Sequence, residues 1–422
     1  MAPLIPSGDT SPVSRGFKRA HGKKHQPRPS SMPVPGQPAS IPAPVPAPSL
    51  ARSPEPPAES GPIPFQFNLK PKDVKAHLDR FVVRQDEAKK VLSVALCDHF
   101  QHVRMKEGGE STPHYVKQNV LLLGPTGVGK THLIRSAAEL IGVPFVKADA
   151  TKFSETGYVG GDVEDLVRDL IRRAGGDLER ASHGIIYLDE VDKIAGRESG
   201  GRDVSGRGVQ TNLLKLMEDA DVPVVSPNDI LGQVQAMMPR PGGAPKSSGE
   251  TINTGNILFI ASGAFAGIST LIRRRLALSG GESGSTRTDE ETLDLATTAD
   301  FIAFGFEPEF IGRLPVRVAC RPLAAGDLYD VMRESESSLL RQYERAFQAY
   351  GIRVKWRADG LRQIAKLAAT EGTGARGLMT VCERALRNFK FELPSTEVRE
   401  FTVTRELVEH PEKVLIELIG SK

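Results

Sequence analysis

The chain has 422 residues, 39% of them hydrophobic, which suffices for a sizeable core spread over two or three domains. Its 55 basic and 52 acidic residues nearly cancel, no apolar run approaches the roughly 18 residues of a membrane helix, and the N-terminus lacks a secretory pattern. The sequence therefore predicts a cytoplasmic protein without membrane contact, and its three scattered cysteines exclude a disulfide framework or a Cys-x-x-Cys zinc site.

Residues 1–64 hold 17 of the 31 prolines, and proline lacks the N–H that helices and sheet ladders need. A disordered, partly extended arm is expected there. It carries seven basic and three acidic residues, leaving 48 and 49 in the rest, so the positive excess is confined to it. Arg15, Lys18, Arg19, Lys23, Lys24 and Arg28 could meet nucleic acid or an acidic partner, although a solvated tail is the simpler reading.

From Phe65 the pattern becomes globular. A helix start is expected over residues 71–80, and the apolar spacing from Gln85 to Arg104 predicts a second helix. His99 and His102 on it are three apart, as metal ligands can be, but no third ligand is at hand. Next comes the run Val120 to Thr131, four apolar residues and a glycine-rich turn that fits the phosphate-cradling pattern Gly-x-x-x-x-Gly-Lys-Thr from Gly124. Backbone N–H groups of Gly127, Val128 and Gly129 can converge on phosphate oxygens at a helix N-terminus. Gly124, Pro125, Thr126, Gly127, Val128, Gly129, Lys130, Thr131 and His132 are thus the candidate nucleotide-binding run, with Lys130 on the terminal phosphates and Thr131 on Mg²⁺.

A short strand is expected over residues 144–149, then Gly157-Tyr158-Val159-Gly160 between polar flanks, then a helix over 163–174. Residues 184–192 read as a buried parallel strand ending in two carboxylates, at the strand end where open α/β sheets bind ligands. Asp189 would orient Mg²⁺, and Glu190 would polarise the water that attacks the γ-phosphate. Residues 196–208 read as a glycine-rich loop, 209–218 as a helix, 221–255 as a long Pro/Gly/Ser-rich insertion, and 256–262 as another buried strand with a polar end. A second polar loop is expected over 279–292. Helical patterns fill 319–391, with Arg376 at a helix start inside Gly372 to Gly377, and short strand and helix pieces end the chain.

The Gly124–Thr131 loop, the Asp189-Glu190 strand, Gly157-Tyr-Val-Gly160, Phe310-Ile-Gly-Arg-Leu-Pro315 and Gly374-Ala-Arg-Gly377 together resemble the AAA+ unfoldases of the ClpX type, from about Phe65 to the C-terminus. The resemblance implies an α/β P-loop ATPase core with a parallel sheet over 65–318 and a small, mostly helical C-terminal domain over 319–422. It also implies ATP and Mg²⁺ as ligands, a homohexameric ring and protein substrates. By the same resemblance Arg313 would be the arginine finger of a neighbouring site, and Arg376 the sensor arginine of the small domain. Tyr158 and Val159 would form the substrate-gripping pore loop, and Val82 and Val83 the adenine pocket. Without the family each arginine reads as a surface or salt-bridge residue, and Tyr158 as a core residue beside a turn. The related HslU shares several motifs, but only some 65 residues separate Glu190 from Asn256, too few for its inserted domain.

The sequence departs from the family at several points. The usual four-cysteine zinc domain is replaced by the proline-rich arm, so zinc is not expected. Residues 279–292 lack the Ile-Gly-Phe tripeptide that docks on a ClpP-type peptidase, leaving that partnership open. Arg240 and Lys246 are the only basic residues of 221–255, where the family has an Arg-Lys-His loop, and Arg84 replaces a usual glycine. Two rivals remain: a nucleic-acid-linked motor using the basic arm, against which Gly157 to Gly160 argues, and a nucleotide-holding scaffold that does not turn over.

Overall fold

A computed structural model describes residues 66–110, 115–154, 161–196, 204–225, 250–279, 287–335 and 339–420, all inside one compact unit, 62–422. The arm expected over 1–64 lies outside them. Pro71, whose fixed φ suits a first turn, opens α1 (Pro71–Phe81), and the Asp73 carboxylate accepts the Lys70 N–H at 3.2 Å. After a sharp turn α2 (Asp86–Glu107) buries Leu92, Leu96 and Phe100.

That turn holds two left-handed residues, Arg84 (φ 59°) and Gln85 (φ 62°). Glycine reaches this conformation without strain, which gives the family's glycine at position 84 a physical reason. Here Arg84 instead anchors its guanidinium on Asp327 at 2.6 Å. The Gln85 amide is buried and accepts the Arg321 N–H while donating to the Arg321 carbonyl, each at 2.7 Å.

The strands are β1 (Val120–Leu123), β2 (Phe145–Asp149), β3 (Ile185–Asp189), β4 (Asp221–Pro223), β5 (Thr251–Asn253), β6 (Leu258–Gly263) and β7 (Val316–Ala319). Five of them form a wholly parallel sheet in the order β2-β3-β6-β1-β7. Their continuous apolar runs have the expected cause, since both faces are covered. Val120, Leu122, Ile185, Tyr187, Leu258 and Ile260 enter one core. The alternate residues Leu121, Leu123, Ile186, Leu188, Phe259 and Ala261 enter the other. Burial of each of the Val, Leu, Ile and Phe side chains contributes about 1.5–3 kcal/mol.

Helices α3 (Lys130–Ile141), α4 (Asp165–Arg173), α5 (Leu178–Ser182), α6 (Val204–Met217), α7 (Ile268–Leu278), α8 (Asp289–Leu293), α9 (Thr298–Phe304) and α10 (Pro308–Gly312) complete this layer. Four expectations need correction: the loop read over 279–292 turns helical at Asp289, where the Thr288 side chain caps the first turn, and the strand Arg353–Trp356 interrupts the helical pattern read over 319–391; the other two lie in the middle of the chain. The stretch read as loop to Gly208 is helical from Val204, and its glycine at 206 has a packing reason: a Cβ there would stand 2.7 Å from the Ile194 carbonyl oxygen. The insertion read over 221–255 is closed by the antiparallel pair β4 and β5, which buries Val222 and Ile252. Residues 226–249 lie outside those described.

After β7 come α11 (Ala325–Glu334), α12 (Leu339–Gln348), β8 (Arg353–Trp356), α13 (Ala358–Thr370), α14 (Ala375–Glu392), β9 (Glu400–Val403), α15 (Arg405–Glu409) and α16 (Pro411–Gly420). They share a third core in which the Phe401 ring stands 5.1 Å from that of Phe347 and 5.2 Å from that of Phe389. Strands β8 and β9 pair parallel beside it.

Candidate active site

At the C-terminal end of β1 the chain turns through Gly124 to Gly129 into α3, and this turn forms the floor of a cleft of about 690 Å³. Lys130 is buried there and folds back on its own loop, donating to the carbonyls of Gly124 and Pro125, the latter at 2.8 Å. Burial pushes its ammonium below the ordinary lysine range. A buried ammonium held only by carbonyls, beside backbone N–H groups at a helix start, is suited to an anion.

The opposite lip comes from α14. Ala375 donates its N–H to the Gly127 carbonyl at 2.8 Å. Gly127 (φ 76°) and Gly374 (φ 59°) approach so closely that a Cβ on Gly127 would stand 2.0 Å from the Thr373 carbonyl oxygen. Any side chain at either position would wedge the two lips apart. Arg376, one residue further on, lines the cleft. Val82 and Val83 line it too, facing apolar residues Leu323, Val331, Leu339 and Met379 from the C-terminal part. His132 lies at the same end, its ring 6.2 Å from that of Phe81 and edge-on to it.

Asp189 ends β3 and Glu190 follows in a left-handed conformation (φ 58°), a strained position for a residue with a side chain. That turn sends the neighbouring carboxylates into different surroundings. Asp189 Oδ1 accepts from Ser262 Oγ at 2.8 Å, and Oδ2 meets Lys147 Nζ at 2.8 Å. Burial alone would raise the Asp189 carboxyl, but the Lys147 ammonium and the Ser262 hydroxyl outweigh it and hold it below the usual carboxylate range. Glu190 is exposed to the cleft.

The oxygens of Thr131 and Asp189 lie 3.4 Å apart, and the Lys147 ammonium touches both, at 3.2 and 2.8 Å. An ammonium resting between a hydroxyl and a carboxylate shows that this oxygen pair suits a cation, and oxygen donors of this kind suit Mg²⁺.

The structure thus gathers Val82, Val83, Thr126 to His132, Asp189, Glu190 and Arg376 around one cleft, with Gly124 and Pro125 behind Lys130. Arg313 is elsewhere. It follows α10, its carbonyl accepts from Asn119 Nδ2 at 3.0 Å, and its guanidinium pairs with Glu218 at 2.6 Å in a second cleft that also contains Lys117. Asn119 precedes β1 and Gly124 follows it, so Arg313 and the phosphate loop sit at opposite ends of the same strand. Tyr158 and Val159 lie outside the described residues.

Sequence reasoning passed over Lys147 and Tyr187, and recorded Ser262 only as a polar strand end. No sequence signal marks Lys147: it is the pairing of β2 with β3 that sets it opposite Tyr187 on the same face, its ammonium 5.8 Å from the ring centre. His99 and His102 have other uses. His99 Nε2 donates to the Asn256 carbonyl at 2.9 Å, and the His102 ring stacks on Tyr115 with centroids 3.5 Å apart.

Burial lowers the His99 pKa to about 3, and its Nδ1 has no hydrogen-bond partner among the described residues. The unfolded chain takes up this proton near the ordinary value of 6.5 while the folded chain does not. Stability therefore falls as pH drops below about 6.5, by up to about 1.4 kcal/mol per pH unit. Replacing His99 with Gln, which keeps an N–H donor for Asn256, is expected to flatten the fall between pH 6.5 and 4.5, as read by guanidinium unfolding. An unchanged slope would remove His99 as its source.

Comparison with known proteins fits this geometry. The model of the AAA domain (Cdc48 subfamily) matches residues 116–317. The chain is 41% identical over 348 residues to the ATP-dependent Clp protease ATP-binding subunit ClpX of Borrelia duttonii, covering 80% of this chain and 78% of that one. The protein of the same name from Borrelia recurrentis gives the same figures. ATP-dependent Clp protease ATP-binding subunit ClpX 3 of Methylococcus capsulatus is 38% identical over 359 residues, covering 81% and 80%.

Proposed function

The chain belongs to the ClpX family of AAA+ ATPases, and we propose that it uses ATP hydrolysis to unfold proteins drawn through the pore of a homohexameric ring. The observation that carries this reading is the single cleft in which Lys130, Thr131, Asp189 and Glu190 meet Arg376 from the C-terminal part. The loop N–H groups and Lys130 bind the β- and γ-phosphates, and Val82 and Val83 take the adenine with the apolar residues opposite them. Glu190 accepts a proton from the attacking water as it approaches the γ-phosphorus. Mg²⁺ held by Thr131 and Asp189 would neutralise phosphate charge.

Arg376 stands on the element whose N-terminus touches the phosphate loop, so a change at the phosphates is felt by the C-terminal part. We place the division of the two domains at about 318–319, with the third core forming the smaller one. A ring explains Arg313. Held at the far end of β1, it cannot serve its own cleft, and in a head-to-tail ring it would face the neighbour's.

Gly157-Tyr158-Val159-Gly160 would supply an aromatic contact that tolerates any substrate sequence. Tyr158→Ala is expected to leave ATP hydrolysis within about twofold while reducing the unfolding rate of a tagged fluorescent reporter by about three- to tenfold, the scale of one lost aromatic contact. Unfolding at the normal rate would remove Tyr158 from the gripping role. The reading extends to the unfolding step and not to peptidase docking, because residues 279–292 carry no Ile-Gly-Phe tripeptide.

A further inference from the structure

Lys147 lies in no motif of the sequence, yet its ammonium bonds two residues that line the cleft, Thr131 and Asp189. It bonds to Thr131 Oγ1 at 3.2 Å and to Asp189 Oδ2 at 2.8 Å, the two oxygens assigned above to Mg²⁺. We propose that Lys147 is a tethered cation that holds this oxygen pair when no metal is bound and gives it up to Mg²⁺, thereby setting how much Mg²⁺ nucleotide binding requires. This inference rests on the nucleotide-site reading and adds a competitor to it.

Two features separate this arrangement from an ordinary structural salt bridge. The first is competition for one oxygen. A divalent ion held by Thr131 and Asp189 would draw on the same oxygens that the ammonium now bonds, and two cations competing for them repel strongly in a partly buried site. The second is an exit. Strand β2 is at the edge of the sheet, and the Lys147 side chain is 35% exposed, so the ammonium can swing towards solvent or the phosphates without disturbing a core. Asp189 does not swing with it, because Ser262 Oγ holds its other oxygen and Tyr187 Oη in turn meets Ser262 Oγ at 2.6 Å. The metal-binding oxygens are thus fixed while their resident cation is removable.

The competition has two opposite consequences. Without divalent metal, Lys147 supplies the positive charge opposite the phosphates, so its loss weakens metal-free nucleotide binding. With metal, Lys147 opposes Mg²⁺, so its loss lets Mg²⁺ act at lower concentration. A residue that merely braced the fold would shift both measurements the same way.

The test is anisotropy of fluorescently labelled ADP with the full chain, in EDTA and across a Mg²⁺ titration, for wild type, Lys147→Met, Lys147→Gln and Lys147→Arg. The Met and Gln variants are expected to reach half-maximal binding at about fivefold lower Mg²⁺ and to bind about threefold more weakly in EDTA, as removal of one competing charge implies. Lys147→Arg should stay within about twofold of wild type on both counts. Unchanged Mg²⁺ midpoints in the Met and Gln variants, or a uniform weakening at every Mg²⁺ concentration, would overturn the proposal. Failure of the wild-type chain to bind nucleotide even with Mg²⁺ would instead sink the nucleotide-site reading, and the inference with it.

Discussion

Glu190→Gln is expected to bind ATP within a fewfold of wild type and to hydrolyse it about 10² to 10⁴ times more slowly, the usual contribution of a positioned general base. The two carboxylates at the end of β3 differ in what holds them. Asp189 is engaged on both oxygens, by Ser262 and by Lys147, and its depressed pKa makes it a poor proton acceptor. Glu190, turned aside by its left-handed backbone, is exposed to the cleft. Gln keeps the volume and the backbone conformation but cannot take a proton. Steady-state phosphate release and labelled-nucleotide binding on the same preparation separate the two effects. Turnover within tenfold of wild type would take the base assignment away from Glu190.

Arg313→Ala is expected to slow hydrolysis by about 10³-fold or more, the range for an arginine that meets a transferring phosphoryl group. Nucleotide affinity should change little. The argument is positional: the guanidinium is parked on Glu218 at 2.6 Å, at the end of β1 remote from the phosphate loop. Mixing subunits makes the claim specific. In rings containing both Arg313→Ala and Glu190→Gln chains, some clefts receive Glu190 from one chain and Arg313 from the other, so the mixture should hydrolyse ATP faster than either variant alone. If mixing restores nothing, Arg313 does not act across a subunit boundary.

The parts of the fold legible in the sequence were those fixed by local chemistry. Apolar runs at 120–123, 185–188 and 258–261 announce buried strands, and the spacing of Gly124, Gly129, Lys130 and Thr131 announces the turn into α3. Strand order was not legible, because it depends on which crossovers pack, and β6 lies between β3 and β1 although it comes much later in the chain. Gly206 was read as a loop residue because glycine disfavours helices, whereas close approach to Ile194 requires it. Arg84 looked like a simple departure from the family until its left-handed backbone and its partner Asp327 were visible. Within the site, Gly124 to Thr131 is found from spacing and Asp189-Glu190 from the apolar run that precedes it, whereas Val82, Val83 and Arg376 come from the family resemblance. Lys147 is found by neither route, because a lysine on an edge strand has no sequence signature and its meaning comes from the register of β2 against β3.

The most direct test of the account is the fluorescence of a stably folded reporter carrying an unstructured tag, followed with purified wild-type chain and either ATP or a slowly hydrolysed analogue. The account predicts loss of fluorescence with ATP and none with the analogue, whether or not a ClpP-type peptidase is present. Robust ATP hydrolysis with undiminished fluorescence across a panel of tags would contradict it, and would turn attention to the basic N-terminal arm and to nucleic acid as the object of the motor.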